Sequence, residues 1–401
     1  ISQIVYGVTT WKLTLDEIIK KYSSIKLKKI SIWIINILRM GIYQIIFLDK
    51  IPKSAAVNEC VNLAKRYGHK ASSGFVNAIL RKVSPDDYLQ LFDVKLPKAE
   101  MISKTQSMPL WIIEELLENN TIEEVEEICK NLNLTPCVSI RVNNVKTTKK
   151  ELEEIFNKNS IQYEEGELDD FLILNKAKNI ENIEGFKEGL FTVQDESAGL
   201  TCLVLNPKEG QMVLDACSAP GGKTTYMAEI MKNTGNIIAW DVYEHRINLI
   251  NENANRLGLK NINTSINDAS IYNENYKEKF DKILLDVPCL GIGVIRRKPD
   301  IKWQRKQEDV YEISKLQYKI LETCSKYLKP GGELVYSTCS ILKKENEDVI
   351  LKFLENNKDF EIKKLDSNKW NEYIKEEKYF SIKPDKKHDG FFICKLHKNN
   401  I

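Results

Sequence analysis

From Leu15 to about Arg81 the apolar residues return at three- and four-residue intervals, as in Ile30, Ile34, Ile37 and Leu38, and again in Val57, Val61 and Ala64. That spacing predicts a small all-helical domain with few strands. Within it, Pro52 and Ser54 mark a helix start, Tyr67-Gly68 its end, and Ser73-Gly74 a break before a further helix over Phe75 to Lys82. Ser84-Pro85-Asp86-Asp87 closes the segment. Residues 88 to 140 read as helical and acidic, and their run of glutamates is most simply a solvated face. After Pro136 the stretch Val138 to Val142 alternates with period two and opens a small α+β segment. Beyond Gln194-Asp195-Glu196-Ser197 short apolar runs (Met212 to Leu214, Ile237 to Ala239, Ile262 to Ile266, Lys282 to Leu285, Glu333 to Tyr336) alternate with helical stretches, which predicts a doubly wound parallel sheet. The expected division is therefore residues 1–85, 86–193 and 194–401.

With 401 residues, 42% hydrophobic and 29% charged, the chain is long enough for several globular cores, which excludes collagen-like, mucin-like or mostly disordered classes. The net charge of +2 conceals an asymmetry: residues 1 to 85 carry 14 basic and 4 acidic side chains, so they are +10 and the remainder is −8. The first segment is the better candidate for a polyanionic partner. Nine cysteines without a CxxC, CxxH or HxxC spacing support neither a disulfide framework nor a metal site, and a cytoplasmic setting is expected. The apolar stretch Ile30 to Leu48 carries Arg39 near its centre, which suits a buried helix better than a membrane span. There is no basic-then-apolar signal peptide, and a start at Ile rather than Met points to a trimmed N-terminus.

In a doubly wound sheet ligands bind beyond the carboxyl ends of the strands, so the residues after each run carry the interest. The first run leads into Cys217-Ser218-Ala219-Pro220-Gly221-Gly222-Lys223, where paired glycines precede a helix expected from about Thr224. This is neither GxxxxGK[ST] nor GxGxxG, so it is either a tight turn or a nucleotide-type loop of another kind. Asp241 follows the second run about 20 residues on, where a carboxylate can accept from ribose hydroxyls. Asp268 follows the third run and Asp286 the fourth. One such aspartate is commonly a turn residue; three at successive strand ends favour a nucleoside site. Cys289, just past Pro288, and Cys339, in Ser337-Thr338-Cys339-Ser340, put thiols on two strand-end loops and suggest nucleophilic chemistry. The other cysteines, Cys60, Cys129, Cys137, Cys202, Cys324 and Cys394, read as inert.

Cys217 to Lys223, Asp286-Val287-Pro288-Cys289 and Ser337 to Ser340 resemble, in order and spacing, the motifs of the RsmB/Nop2/Sun family of RNA cytosine-C5 methyltransferases. The N-terminal half is similar to the branch of that family with a NusB-like helical domain that acts on bacterial 16S rRNA. Leu38 to Gln44, Ile51 to Glu59 and Gly74 to Arg81 carry this likeness, which continues through Gln194 to Ser197, Arg296 to Ile301 and His388 to Phe392. Ser218 departs from the family's usual Ala. The resemblance implies a NusB-like N-terminal domain, a small RNA-recognition-like α+β subdomain and a Rossmann-like class I catalytic domain using S-adenosylmethionine. It implies that Cys339 adds to cytosine C6, making C5 nucleophilic, and that Cys289 helps to release the enzyme. It further implies that Asp286 bonds the cytosine, that Asp241 and Asp268 hold the cofactor ribose and adenine amine, and that Cys217 to Lys223 wrap its methionine and ribose portions. A lowered Cys339 pKa is expected from local positive charge, with Lys223 and the Arg296-Arg297-Lys298 group as candidates, or from a helix end.

The target base must be unpaired or flipped, so RNA must be gripped. Arg296, Arg297, Lys298, Lys302, Arg305 and Lys306, with Trp303 among them, form a candidate backbone clamp with a stacking ring. The expected partner is 16S rRNA, free or in a partly assembled subunit, and the expected state is a monomer away from membranes. The same chemistry on 23S rRNA or tRNA is the nearest alternative. A non-catalytic RNA-binding or antitermination factor is another, although such a module has no need of both Cys289 and Cys339.

Overall fold

The computed structural model describes residues 1–92, 95–175, 179–365 and 370–400. By contact the chain forms two compact units, one of Ile1–Leu134 with Ile295–Gln307, the other of Thr135–Val294 with Glu308–Ile401. The grouping thus places 86–134 with the N-terminal helices and 135–193 with the larger sheet.

The first unit is helical, as the spacing predicts. Its early helices are Ser2–Thr10, Lys12–Tyr22, Ile32–Phe47, Lys53–Tyr67 and Lys70–Leu80. Leu15, Ile18, Ile34, Leu38, Ile42, Val57, Cys60, Val76 and Ile79 form their shared core. Arg39 is tolerated inside because Asp16 takes it bidentately at 2.7 and 2.8 Å and Asn36 accepts a third bond at 2.9 Å. Two expectations change. Ser73-Gly74 does not break the chain, since helix Lys70–Leu80 runs through it, anchored by a His69–Ser72 capping box. Ser54 lies inside helix Lys53–Tyr67 rather than capping it; Pro52 stands at the cap.

In the second unit, strands β1 (Val138–Val142), β2 (Tyr163–Glu165), β3 (Phe171–Leu174) and β4 (Phe191–Val193) form an antiparallel sheet in the order β2-β3-β1-β4. Helix Lys149–Lys158, opened by a Thr148–Glu151 capping box, buries Leu152 and Phe156 against Ile140, Val142, Leu172 and Phe191.

The larger sheet holds β5 (Met212–Asp215), β6 (Asn236–Asp241), β7 (Ile262–Ile266), β8 (Phe280–Asp286), β9 (Leu328–Thr338), β10 (Phe360–Ile362), β11 (Ile374–Lys375), β12 (Tyr379–Ile382) and β13 (Phe391–Lys398). All five expected strands are present and run parallel in the order β7-β6-β5-β8-β9. The sheet is mixed beyond them: β13 pairs antiparallel with β9, and β12, β11 and β10 extend that edge. Along the central strands successive residues enter opposite cores. Leu214, Leu285, Leu334 and Tyr336 join one, with Ile320 and Phe353, while Val213, Leu284 and Val335 join the other, with Leu200 and Met227. Burial on both faces explains why these strands read as continuous apolar runs. Among the described residues no helix is long and apolar enough to cross a membrane.

Candidate active site

Strand β5 ends at Asp215, which is 1% exposed and accepts a bond from the Thr224 hydroxyl at 2.7 Å. Its second oxygen, Oδ1, has no protein partner. Burial pushes this carboxyl up to about 7, and the Thr224 bond offsets only part of that. The loop that follows turns back on β6, since Ser218 donates from both its N–H and its hydroxyl to Trp240 O at 2.8 Å. Gly221 has φ +100°, and a Cβ there would meet Ile250 Cα at 3.2 Å, so the glycine is required. Helix Gly222–Ile230 then begins, slightly earlier than Thr224. Loop and helix start wall a cleft of about 190 Å³ to which Gln194, Asp215, Lys223 and Asp286 also contribute.

Parallel pairing of β8 with β9 sets Asp286 opposite Ser337, so the two loops that follow emerge side by side. Consequently Cys289 Sγ and Cys339 Sγ lie 3.0 Å apart. Asp286 accepts from Lys223 Nζ at 2.7 Å and from the Ser337 hydroxyl at 2.9 Å. Burial acts against the Lys223 ammonium, but the charge and hydrogen bond of the Asp286 carboxylate prevail, so the lysine pKa is raised. The Cys289 thiol is held well above its ordinary range, first by its bond to Cys339 and then by burial. Glu345, fully buried, ties both loops together by accepting from Leu290 N at 2.9 Å, Gln317 Nε2 at 3.0 Å and the Ser340 hydroxyl. Gly293 N donates to Cys339 O at 3.0 Å. A paired-thiol centre is therefore fixed beside a carboxylate–ammonium pair, at the edge of a cleft built for a small ligand.

Three family models match stretches of the chain. Residues 202–397 match the model for 16S rRNA methyltransferase RsmB/F, residues 1–85 that for the NusB family, and residues 108–181 that for the RsmF/B-like ferredoxin-like domain. A Bacillus subtilis protein described as a probable ribosomal RNA small subunit methyltransferase B is 36% identical, over 99% of this chain and 90% of its own length. The chain belongs to the RsmB family of methyltransferases. Among solved structures, that of PH0851 superposes with a TM-score of 0.83 at 28% identity, covering 99% of this chain and 89% of its own. A methyltransferase homolog from Pyrococcus horikoshii gives 0.66 at 31% identity, over 76% of this chain and 99% of its own.

The methyl donor of the RsmB family is S-adenosylmethionine, and the cleft suits it. The glycine turn lets backbone approach a ligand at a helix N-terminus, while Gln194 Nε2 and Asp215 Oδ1 are buried and lack protein partners. Asp241 and Asp268 stand at the ends of β6 and β7 rather than in the cleft wall. Asp241 accepts from Tyr243 N at 3.1 Å and lies 3.7 Å from Arg246; Asp268 is exposed and accepts from Ser270 N at 2.9 Å and its hydroxyl at 2.7 Å. Cys217 is a loop thiol whose pKa burial raises strongly, so it stays neutral.

The expected RNA clamp does not form as a unit. Lys302 is 1% exposed and donates to Thr10 O and Ser107 O, each at 3.1 Å, and to Asn133 Oδ1 at 2.6 Å. Trp303 donates its indole N–H to Thr9 O at 2.7 Å, and the Lys12 ammonium stands 4.9 Å from its ring. Both side chains pin the 295–307 segment into the helical unit. Arg296 is buried as well and Arg297 half-buried, which leaves Lys298, Arg305 and Lys306 exposed.

Asp215, Gln194, Glu345 and Arg141 were not singled out as site residues from the sequence. Asp215 follows the same strand-end rule as Asp241 and Asp286 and could have been found by it. Gln194 lies in the Gln194–Ser197 stretch that carries the family likeness, which assigns it no role; Glu345 and Arg141 have no local signal, because long-range contacts define them.

Proposed function

We propose that this chain methylates C5 of one cytosine in small-subunit ribosomal RNA through a covalent adduct between Cys339 and C6 of the base. The observation that carries this reading is the pair of thiols 3.0 Å apart beside Asp286 and Lys223. Cytosine C5 is a weak nucleophile, and thiolate addition at C6 makes it enamine-like. S-adenosylmethionine supplies the electrophilic methyl group. Cys217 to Lys223 would hold its methionine and ribose portions, Asp241 the ribose hydroxyls and Asp268 the adenine amine. Asp286, kept in place by Lys223 and Ser337, hydrogen bonds the cytosine and disfavours uracil, whose position 4 presents the opposite pattern.

Completion of the reaction requires loss of the C5 proton and departure of the Cys339 sulfur. Cys289 suits both needs. The Cys289 sulfur takes the C5 proton as the C5–H electrons form the C5=C6 bond and Cys339 leaves C6 with the C–S pair; in the same step the Cys289 thiol proton passes to the departing sulfur, so both cysteines end as thiols. The Glu345 bonds keep the two sulfurs in register through addition and release. The helical unit, whose residues 1–85 carry a charge of +10, would add RNA contacts outside the cleft.

The test is methyl transfer from radiolabelled S-adenosylmethionine to unmodified 16S rRNA, 23S rRNA and tRNA, with mapping of 5-methylcytosine. One labelled 16S cytosine, lost on Cys339→Ala, is the expected result. Label on 23S rRNA or tRNA alone would refute the substrate, and label that survives Cys339→Ala would refute the mechanism.

A further inference from the structure

Gln194 is 6% exposed, and its amide nitrogen has no protein partner. Its amide oxygen accepts from the Arg141 guanidinium, a group that can only donate, so the orientation of the amide is settled by its neighbour. Arg141 in turn has no freedom. It is fully buried, it grips Glu229 bidentately at 2.7 and 3.0 Å, and it donates to Gly222 O at 3.0 Å and to the Thr225 hydroxyl at 3.2 Å. Its guanidinium carbon also lies 4.5 Å from the centre of the Tyr226 ring. The backbone of Gln194 is tethered to the smaller sheet by a bond from its N–H to Ser139 O at 3.2 Å.

The outcome is an amide NH2 held at the wall of the cleft. It stands over the first residue of helix Gly222–Ile230, where a Cβ on Gly222 would come within 3.7 Å of it. That end of the helix has free backbone N–H groups and a positive partial charge. Donors converging there select an anionic oxygen. A buried NH2 without an acceptor is costly, which a bound acceptor would relieve.

We propose that Gln194 donates a hydrogen bond to the α-carboxylate of the methyl donor's amino-acid end, with Arg141 as the positioning residue that fixes the amide. The smaller sheet thereby takes part in cofactor binding through one arginine on β1. This inference rests on the cofactor assignment and is independent of which RNA is modified.

The test is calorimetric binding of S-adenosylhomocysteine and of its decarboxylated analogue, which keeps the amine and nucleoside, to wild type, Gln194→Leu and Gln194→Glu. Gln194→Leu is expected to weaken S-adenosylhomocysteine about tenfold or more and to leave the analogue unchanged. Gln194→Glu can still accept from Arg141 but has no donor, so it should reverse the preference toward the analogue. Equal weakening of both ligands, or of neither, overturns the proposal. So does a variant that keeps S-adenosylhomocysteine but loses RNA in filter binding, since the acceptor would then be on the RNA. Failure of wild type itself to bind S-adenosylhomocysteine would instead sink the cofactor assignment.

Discussion

Arg141→Met removes a fully buried guanidinium and leaves the Glu229 carboxylate, 6% exposed, without its bidentate partner. Breaking one side of a buried ion pair costs about 3–5 kcal/mol. Four further contacts lose their donor or cation: Gln194 Oε1, Gly222 O, the Thr225 hydroxyl and the Tyr226 ring. For a unit of this size that destabilisation lowers the melting temperature by roughly 10 °C. Burial already raises the Glu229 pKa, with Arg141 opposing it. Without the arginine the carboxyl takes up a proton more readily, so the loss should be smaller at pH 5 than at pH 8. The double variant Arg141→Met/Glu229→Met replaces the pair with apolar side chains of similar volume and should recover most of the stability. It should not recover affinity for S-adenosylhomocysteine, because the Gln194 amide has lost its clamp in both variants. Thermal unfolding at the two pH values, with calorimetric binding on each variant, reads all of this. A single variant within about 1 kcal/mol of wild type, or a double variant no more stable than the single, would refute the reasoning.

Asp215 offers a test through pH. Because burial raises its carboxyl from 3.8 to about 7, the folded protein keeps a proton there that the unfolded chain has released, and stability falls as pH rises across that window. Asp215→Asn removes the ionisation, so its stability relative to wild type should rise by up to ~1.4 kcal/mol per pH unit from about pH 4 to 7 and then level off; a flat difference in urea titrations would contradict this. Cys289→Ala should accumulate a covalent protein–RNA species that survives a denaturing gel, whereas Cys339→Ala should form none; an adduct in the Cys339 variant would reassign the nucleophile. Lys302→Met leaves three acceptors unsatisfied in the helical unit and should cost roughly 3 kcal/mol in urea unfolding. A loss below about 1 kcal/mol would show the pin to be incidental.

The period of the apolar residues was enough to determine the helical first domain and the five parallel strands, because helix and strand faces repeat at intervals that do not depend on distant sequence. Strand-end position did the same for the Cys217–Lys223 loop, Asp286, Cys289 and Cys339: a parallel sheet sends the residues after each strand to one edge whatever covers its faces. Gly74 shows where local reading ends, since a glycine that punctuates a chain in isolation is carried inside helix Lys70–Leu80 by the packing of Val76 and Ile79. Composition gave Lys302 and Trp303 the look of an RNA clamp; their acceptors lie at residues 9, 10, 107 and 133, and only folding brings those carbonyls and that amide within reach. The same holds for Arg141, Gln194 and Glu345. Each acts through hydrogen bonds to groups dozens of residues away, and the energy of such bonds depends on burial and direction, which tertiary structure alone decides.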